Sequence, residues 1–351
     1  MKIRLPSFTL KGIFVTIILL LAVSFMAKRS NTQVDRKETS APRVSNRKNP
    51  ENSVLQTRTN TADDVADDTK STPPCGQICD YSIRKKSGDH ILRKDFNCRD
   101  IFFRLKHPSG QTFKPPLKNP PPEMLQDFTQ NGTLKLHIRY LDDSKKRNKT
   151  TFTSEDIKKL LKLDNDQIKM GSYGEDSDRF KKILYRYRDE LKDKTGIVIG
   201  SQSPWLEVML LNLGVKHVTT VDYNPVFFDH PQLSFKLMSD TADEITNDPS
   251  RRMDFAVSFS SLEHSGLGRY GDPINPYGDL EAAAQVWCML KPGALFLLAV
   301  PGRLGSWEGT LYFNMHRDYG GARLEQIAAN FEELERGKTK KHIALVLRKP
   351  V

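Results

Sequence analysis

Cysteine is scarce in this chain, with 4 cysteines among 351 residues. Cys75 and Cys79 are spaced C-x3-C, whereas redox and zinc motifs use C-x2-C, and no histidine follows at zinc-finger spacing. We therefore expect no metal site. Cys75, Cys79 and Cys98 lie close together in the sequence, so we expect either a disulfide between two of them or three buried thiols. Cys288 lies in the apolar stretch AAAQVWCML and is expected in the core.

Charge is absent from residues 12–27, which are apolar and bracketed by basic side chains. This pattern predicts a transmembrane segment. Phe25 lies two positions before Ala27, where a signal-peptide cleavage site needs a small residue, so we expect an uncleaved signal anchor. Residues 1–11 are then a short cytoplasmic tail.

Large apolar side chains are few in residues 28–74, where Ser, Thr, Asn, Asp and Lys dominate. Such a segment cannot bury enough surface to offset its ordering entropy, so we predict a disordered stalk. We expect an accessory segment at 75–172 and the main folded domain at 173–351. Asn131 and Asn148 begin glycosylation sequons and, with the cysteines, favour a lumenal domain. The chain is thus expected to be a type II membrane glycoprotein of the Golgi or endoplasmic reticulum.

The net charge of +11 could suggest a nucleic-acid partner. Residues 196–351, however, carry 15 basic and 18 acidic side chains, a difference of −3. The densest basic cluster includes Lys145, Lys146, Arg147 and Lys149 and is most simply a solvated loop. Because the part that carries the chemistry is acidic, we expect no nucleic-acid partner.

The sequence of the middle of the chain predicts one strand and two helices. Residues 134–140 alternate apolar and polar side chains, as a half-buried strand does. Ser154 is expected to cap a short helix, and residues 176–192 carry apolar residues at helical spacing. We expect this second helix to pack at the edge of the sheet that follows. Asp176 and Asp178 form D-S-D, which could suit a metal-dependent glycosyltransferase, although helix capping explains the pair better.

The C-terminal half alternates apolar strands with helices, which indicates an α/β fold with a mostly parallel sheet. Strands are expected at 196–200, 217–221, 233–237, 254–259 and 294–300, with short strands at 332–334 and 342–347, the last one antiparallel. Helices are expected at 205–213, 279–290 and 324–331, and a turn at 291–293.

Gly200 ends the first of these strands, and Asp222 ends the second. In open α/β sheets the ligand lies beyond the carboxyl ends of the strands, where a glycine turn lets it approach the backbone and an acid binds ribose hydroxyls. Gly200, Ser201 and Asp222 are therefore predicted to bind a nucleotide cofactor.

Three motifs carry a more specific resemblance: GSQSPWLE at 200–207, DYNP at 222–225 and SLEHSGLGRYGD at 261–272. They resemble a nematode-rich family of methyltransferase-like membrane proteins known as domain of unknown function 268, and the wider region resembles class I S-adenosylmethionine-dependent methyltransferases. The resemblance implies a Rossmann-like sheet and S-adenosylmethionine as cofactor, with Asp240 near the adenine. It departs from G-x-G-x-G at Gln202 and Pro204, which weakens the expectation of tight cofactor binding.

The segment after the 254–259 strand supplies the predicted catalytic residues. Glu263 and His264 lie at the mouth of the expected pocket, where His264 has the basicity to take a proton from a hydroxyl; a packed loop histidine is an equal alternative. Arg269, Tyr270 and Asp272 are expected to form a substrate loop, in which Arg269 either binds substrate or pairs with Asp272.

These patterns favour a membrane-anchored methyltransferase that acts on a hydroxyl of a glycan or small-molecule acceptor in the secretory pathway. A non-catalytic binding or scaffold protein and a glycosyltransferase remain as alternatives. The missing glycines favour the scaffold protein, and the intact motif at 261–272 opposes it.

Overall fold

The computed structural model describes residues 79–80, 91–92, 97–108, 110–144, 150–164, 167–168 and 173–351. All of them belong to one unit, Asp68–Val351. The predicted tail, anchor and stalk, together with Cys75, Asn148 and the basic cluster at 145–149, lie outside the described residues. Within the described ranges, no helix has the length and apolar character needed to cross a bilayer.

The described strands are β1 (Cys79–Asp80), β2 (Ile91–Leu92), β3 (Leu134–Ile138), β4 (Thr151–Phe152), β5 (Thr195–Ile199), β6 (His217–Asp222), β7 (Phe227–Phe228), β8 (Leu233–Leu237), β9 (Met253–Phe259), β10 (Leu290–Pro301), β11 (Gly309–Phe313), β12 (His316–Asp318), β13 (Glu332–Lys338) and β14 (His342–Arg348). The described α-helices are α1 (Cys98–Lys106), α2 (Leu125–Thr129), α3 (Ser154–Leu161), α4 (Glu175–Arg186), α5 (Arg188–Leu191), α6 (Trp205–Asn212), α7 (Met238–Asn247), α8 (Gly278–Met289) and α9 (Gly321–Ala328).

The main sheet has the order β13-β14-β10-β9-β5-β6-β8. Strands β10, β9, β5, β6 and β8 are parallel, and β14 is antiparallel to both of its neighbours. The expected α/β fold, with a mostly parallel sheet and an antiparallel last strand, is confirmed. The predicted turn at 291–293 is wrong, because β10 begins at Leu290 and absorbs these residues in a register shift before Leu295.

Both faces of the sheet are covered, which explains why its central strands read as continuous apolar runs. Side chains on a strand point alternately to the two faces. In β5, Ile197 and Ile199 pack into the core on one side, and Val198 packs into the core on the other. The first core also contains apolar residues of α1, α7, α8 and α9, and the second contains those of α3, α4 and α6.

Helix α4 lies on a face of the sheet, which corrects the expectation that it packs at the edge. Its residues Phe180, Ile183 and Leu184 are buried in the same core as Phe259 of β9. The single helix expected at 176–192 is two helices, α4 and α5. Helix α3 begins as expected, but Thr153 rather than Ser154 is the capping residue, in a reciprocal capping box with Asp156.

Residues from the predicted accessory segment form part of the same unit as the sheet. Strand β3 pairs in parallel with β11, which pairs with β12 in a separate three-stranded sheet. This sheet has a small core of its own that includes Phe128, Leu134, Leu311 and Phe313. Strands β11 and β12 were not expected from the sequence, and they form one wall of the cleft described below.

A disulfide joins Cys98 of α1 to Cys288 of α8, with a Cα–Cα distance of 5.5 Å. Cys288 is buried as expected, but it is not a free thiol, and Cys98 is not paired with Cys75 or Cys79. The physical reason is the amphipathic helix α1, which buries Ile101 and Phe102 and thereby places Cys98 against α8. The spacing of the cysteines in the sequence gave no indication of this contact between distant segments.

A cluster of fully buried charges lies beside α8. Asp279 accepts two hydrogen bonds from Arg323, at 3.0 and 2.5 Å, and one from the Tyr319 hydroxyl at 2.8 Å. The Nε of Arg317 lies 3.7 Å from the same carboxylate. Burial raises the pKa of Asp279, but Arg317 and Arg323 outweigh this effect and hold it below the usual value. The carboxylate is therefore ionised and is the shared counter-ion of two buried guanidinium groups.

We expect Asp279→Asn to lower the free energy of unfolding by about 3–5 kcal/mol, because it leaves Arg317 and Arg323 buried without their counter-ion. Denaturant unfolding of the full chain in detergent measures this loss. Glu175→Gln is the control, because it removes an ion pair with Arg179 whose side chains are 50% and 49% exposed. The control should cost less than about 1 kcal/mol. Equal losses in the two variants would contradict a stabilising role for the buried cluster.

Candidate functional site

A cleft of about 1910 Å³ opens at the carboxyl ends of the parallel strands. The strand order reverses between β5 and β9, because the chain continues from β5 through β6 to β8 on one side and returns through β9 to β10 on the other. Ligands of open α/β sheets bind in the crevice at this switch point. Residues after β5, β6 and β9 line the cleft, including Gly200, Asp222 and Glu263.

The turn after β5 depends on Gly200. Its φ is +69°, and a Cβ at this position would lie 1.8 Å from Oγ of Ser261. Any larger residue would be strained and would clash with the loop after β9. The amide of Gly200 also donates to the carbonyl oxygen of Val221 at 3.1 Å. Gly200 thus brings the ends of β5, β6 and β9 together at the cleft.

Ser201 is held by a buried carboxyl group that the sequence did not reveal. The Ser201 hydroxyl donates to the Ser203 carbonyl at 2.8 Å and to Glu207 at 3.2 Å, and Thr220 donates to Glu207 at 2.6 Å. Glu207 is fully buried, and burial raises its pKa to about 7. Apart from Glu207 and Asn212, helix α6 is apolar, and its pattern gave no indication that Glu207 fixes the Ser201 side chain.

Asp222 ends β6 and lines the cleft, as predicted. Its Oδ1 accepts from the amide of Asn224 at 3.0 Å, which orients the carboxylate at the strand end. Gln202, which replaces a glycine of the usual pattern, also lines the cleft. Asp240 is exposed in the first turn of α7 and is not among the residues that line the cleft. The structure therefore places Asp240 outside the cleft lining, although Leu237, three residues earlier, is the register partner of Asp222.

Glu263 lies in a 3-10 turn after β9 and is fully buried. Ser260 donates to its Oε1 at 2.5 Å, and Tyr173 donates to Ser260 at 3.0 Å. Its Oε2 has no hydrogen-bond partner among the described residues. Burial raises the pKa of Glu263 to about 8, so this carboxyl group is neutral at pH 7. Glu263 is a buried acid rather than a resting base.

His264 lacks the basicity expected from the sequence. Its Nδ1 lies 2.6 Å from the Met315 carbonyl oxygen, which only accepts, so Nδ1 carries the proton of the neutral ring. Burial lowers the pKa of His264 to about 3. The ring is therefore neutral at physiological pH and a weak base, because the charged form would be desolvated and would face Arg269 and Arg317.

The loop at 266–272 is ordered by Asp272, which accepts from the amides of Gly266 and Gly268 at 2.8 and 3.1 Å. Arg269 pairs with Asp143 at 2.8 Å rather than with Asp272, and its guanidinium lies 4.9 Å from the Tyr270 ring. Tyr270 contacts His264 edge to face. All three predicted loop residues line the cleft, but Arg269 is already neutralised by an acid of the accessory segment.

His316 and Asp318 were missed by the sequence reasoning. They lie on the cleft side of β12, where the Nε2 of His316 is 3.2 Å from Oδ1 of Asp318. Arg317, between them, points into the protein, is fully buried and donates to the Ser265 carbonyl at 2.7 Å. The only sequence signal was H-R-D in a period-two strand, which is too short to identify without β11 beside it.

Asn131, the first predicted glycosylation site, lies in an exposed turn after α2 with φ of +52°. Its amide donates to the Gln126 carbonyl at 2.9 Å. The side chain is therefore on the surface, as glycosylation requires. No group of His, Cys, Asp or Glu side chains in the described ranges is arranged to hold a metal ion.

The raised pKa of Glu263 predicts how the free energy of unfolding depends on pH. Its folded pKa of about 8 exceeds the ordinary 4.5, so between these values the folded chain holds a proton that the unfolded chain has released. Its contribution to stability is complete below pH 4.5 and is lost as pH rises towards 8, with a slope of at most about 1.4 kcal/mol per pH unit. Glu263→Gln should flatten the fall in unfolding free energy between pH 5 and 8. Denaturant titrations at several pH values measure this slope, and an unchanged slope would contradict the neutral carboxyl group.

Similar solved structures include 1,6-didemethyltoxoflavin-N1-methyltransferase from Burkholderia thailandensis, at 16% identity and a TM-score of 0.37, covering 49% of this chain and 77% of that one. The N-methyltransferase NodS from Bradyrhizobium japonicum WM9 matches at 15% identity and a TM-score of 0.37, covering 56% and 98%. No curated protein matches the sequence. Residues 193–349 match the family described as "Caenorhabditis protein of unknown function, DUF268", and the family resemblance is confirmed for this part of the chain.

Proposed function

We propose that this protein is a membrane-anchored methyltransferase that uses S-adenosylmethionine and acts on a hydroxyl group of a glycan or small-molecule acceptor. The observation that carries the proposal is the position of the cleft. It lies at the switch point of a mostly parallel sheet, with the Gly200 turn at the end of β5 and Asp222 at the end of β6. A nucleotide cofactor binds at this place in such sheets.

The cofactor end of the cleft suits an adenosyl group. Asp222 would accept hydrogen bonds from ribose hydroxyls, because a carboxylate has acceptor capacity beyond its bond with the Asn224 amide. Gly200 and Ser201 present backbone at the end of β5, and Glu207 fixes the Ser201 side chain. S-adenosylmethionine, when bound, supplies a methyl group on a positively charged sulfur. The side chain of Gln202 takes up space that a glycine would leave open to the cofactor.

The acceptor end of the cleft needs a base, because a hydroxyl loses its proton as its oxygen is methylated. His264 is poorly suited, since its pKa lies at about 3. His316 is better placed: it lines the cleft, and its Nε2 faces Asp318, which orients the ring and leaves Nδ1 to accept a proton. Glu263, with a pKa of about 8, would keep a neutral hydrogen-bonding group beside the acceptor.

The test is calorimetric titration of the full chain, purified in detergent, with S-adenosylmethionine and S-adenosylhomocysteine. We expect micromolar binding of both. Asp222→Ala should weaken binding at least tenfold, because it removes the ribose acceptor. Failure of the folded wild-type chain to bind either compound would favour the non-catalytic scaffold protein.

His316→Gln is the matched control for this titration. It lies at the acceptor end, so its affinity for S-adenosylmethionine should stay within twofold of wild type. With an acceptor found by screening labelled methyl transfer, the same variant should lose turnover while the Michaelis constant for S-adenosylmethionine is unchanged. Retained turnover would show that another group takes the proton.

We also propose that the domain faces the lumen of the Golgi or endoplasmic reticulum, held by residues 12–27. The Cys98–Cys288 disulfide supports this location, because disulfides persist in oxidising compartments and are rare in the cytosol. The exposed turn at Asn131 is accessible to a glycosyltransferase.

Lumenal exposure predicts a glycan on Asn131. When the full chain is expressed in secretory cells, treatment with an N-glycosidase should increase its gel mobility, and Asn131→Gln should remove part of that shift. Asn148→Gln is the companion variant, and the double variant should not shift at all. A wild-type chain without any glycosidase-sensitive shift would contradict the lumenal orientation.

A further inference from the structure

One rim of the cleft is basic although residues 196–351 as a whole are acidic. The turn between β13 and β14 places Lys338, Lys340 and Lys341 at the cleft, and all three are exposed. Arg303, exposed after β10, lines the same side. The amide of Gly302 donates to the Lys341 carbonyl at 3.0 Å, so Arg303 and the lysines form one surface. We call these four residues the basic rim.

A buried carboxylate holds the basic rim in place. Asp176 is 3% exposed and accepts from the amides of Lys341 and His342, at 2.7 and 3.2 Å, and from the Thr339 hydroxyl. Burial raises the pKa of Asp176, but these hydrogen bonds outweigh it and keep the group ionised. The turn is thus fixed from inside, and its lysine side chains project outward.

Several acids of the cleft interact with groups outside the basic rim. Asp143 pairs with Arg269, Glu281 pairs with Arg104 and Asp318 faces His316. Asp272 is held by backbone amides, as described above. Lys340 lies 3.7 Å from Glu175, but both side chains are at least half exposed and the pair contributes little. Among the described residues, Lys340 is the only member of the basic rim in an ion pair, so the rim presents cationic side chains at the cleft.

A buried histidine lies just below the rim. His342 lines the cleft, is 4% exposed and stacks on Phe259, with ring centroids 4.9 Å apart. Its Nε2 has no hydrogen-bond partner among the described residues, and its Nδ1 lies 3.5 Å from Oδ1 of Asp176. Unsatisfied buried polar atoms are costly in a folded protein, and a ligand at the cleft can satisfy them.

We propose that the acceptor is an anionic glycan whose carboxylate or sulfate groups bind the basic rim, with His342 contacting the sugar below it. This inference rests on the proposed function, because the acceptor is the substrate of the proposed methyl transfer. A glycan fits better than a nucleic acid because the disulfide points to an oxidising compartment. Binding through exposed lysines and an arginine depends on salt, since each contact releases counterions.

The probe is a fluorescent heparin-derived octasaccharide, titrated by anisotropy against the full chain in detergent at several salt concentrations. The variant Lys338→Gln, Lys340→Gln, Lys341→Gln should weaken binding at least tenfold and flatten its salt dependence. The control Lys158→Gln, Lys159→Gln, Lys162→Gln removes the same number of charges from exposed positions of α3 and its end, outside the cleft. It should change the affinity less than twofold. Both triple variants keep their buried contacts, and circular dichroism verifies their fold.

Equal weakening by the two triple variants would overturn the proposal, because it would show non-specific attraction. Tighter binding of a DNA oligonucleotide of matched charge, with the same loss in the rim variant, would also overturn it in favour of a nucleic-acid partner. A neutral oligosaccharide should bind much more weakly than the heparin probe. The rim variant should still bind S-adenosylmethionine, so loss of glycan binding and failure of the methyltransferase proposal give separate readouts.

Discussion

The arrangement of the cleft depends on the buried carboxylate of Asp279. It is the counter-ion shared by the fully buried Arg317 and Arg323, and these two side chains also donate to carbonyl oxygens of the loop between β9 and α8. One carboxylate thereby joins α8, β12, α9 and that loop. Buried ion pairs of this kind add little net stability compared with an apolar core, but removing one partner is very costly. The cluster therefore fixes a geometry more than it adds to the free energy of unfolding.

That geometry determines which side chains reach the cleft. Strand side chains alternate, so the burial of Arg317 on the core side requires His316 and Asp318 to face the other way. Burial then determines the protonation state of two titratable groups at the cleft. Burial raises the pKa of Glu263 and lowers that of His264, so both are neutral at pH 7, whereas the side chains of His316 and Asp318 on β12 are 20% and 29% exposed.

The sequence predicted the main sheet because its strands are buried on both faces, and short apolar runs bounded by turn residues are typical of such strands. It also predicted that Gly200 and Asp222 lie at the carboxyl ends of neighbouring strands, where both line the cleft. It did not predict β12, because His316-Arg317-Asp318 carries no apolar residue and owes its structure to pairing with β11. The Cys98–Cys288 disulfide and the pairing of Arg269 with Asp143 join segments far apart in sequence, and local patterns hold no information about such contacts.

The glycine turn has a different meaning in the structure from the one that the motif suggested. In the usual pattern, glycine lets a cofactor approach the backbone, but at Gly200 the space for a Cβ is already filled by Ser261 of this chain. Gly200 would therefore be required here even if no cofactor bound, and its presence is weak support for a nucleotide. Asp222 likewise has an internal role, because it accepts from the Asn224 amide, so the support for a nucleotide lies mainly in the position of the cleft at the switch point. Gln202 lines the cleft where the pattern has glycine, so its side chain occupies part of the space that glycine would leave open.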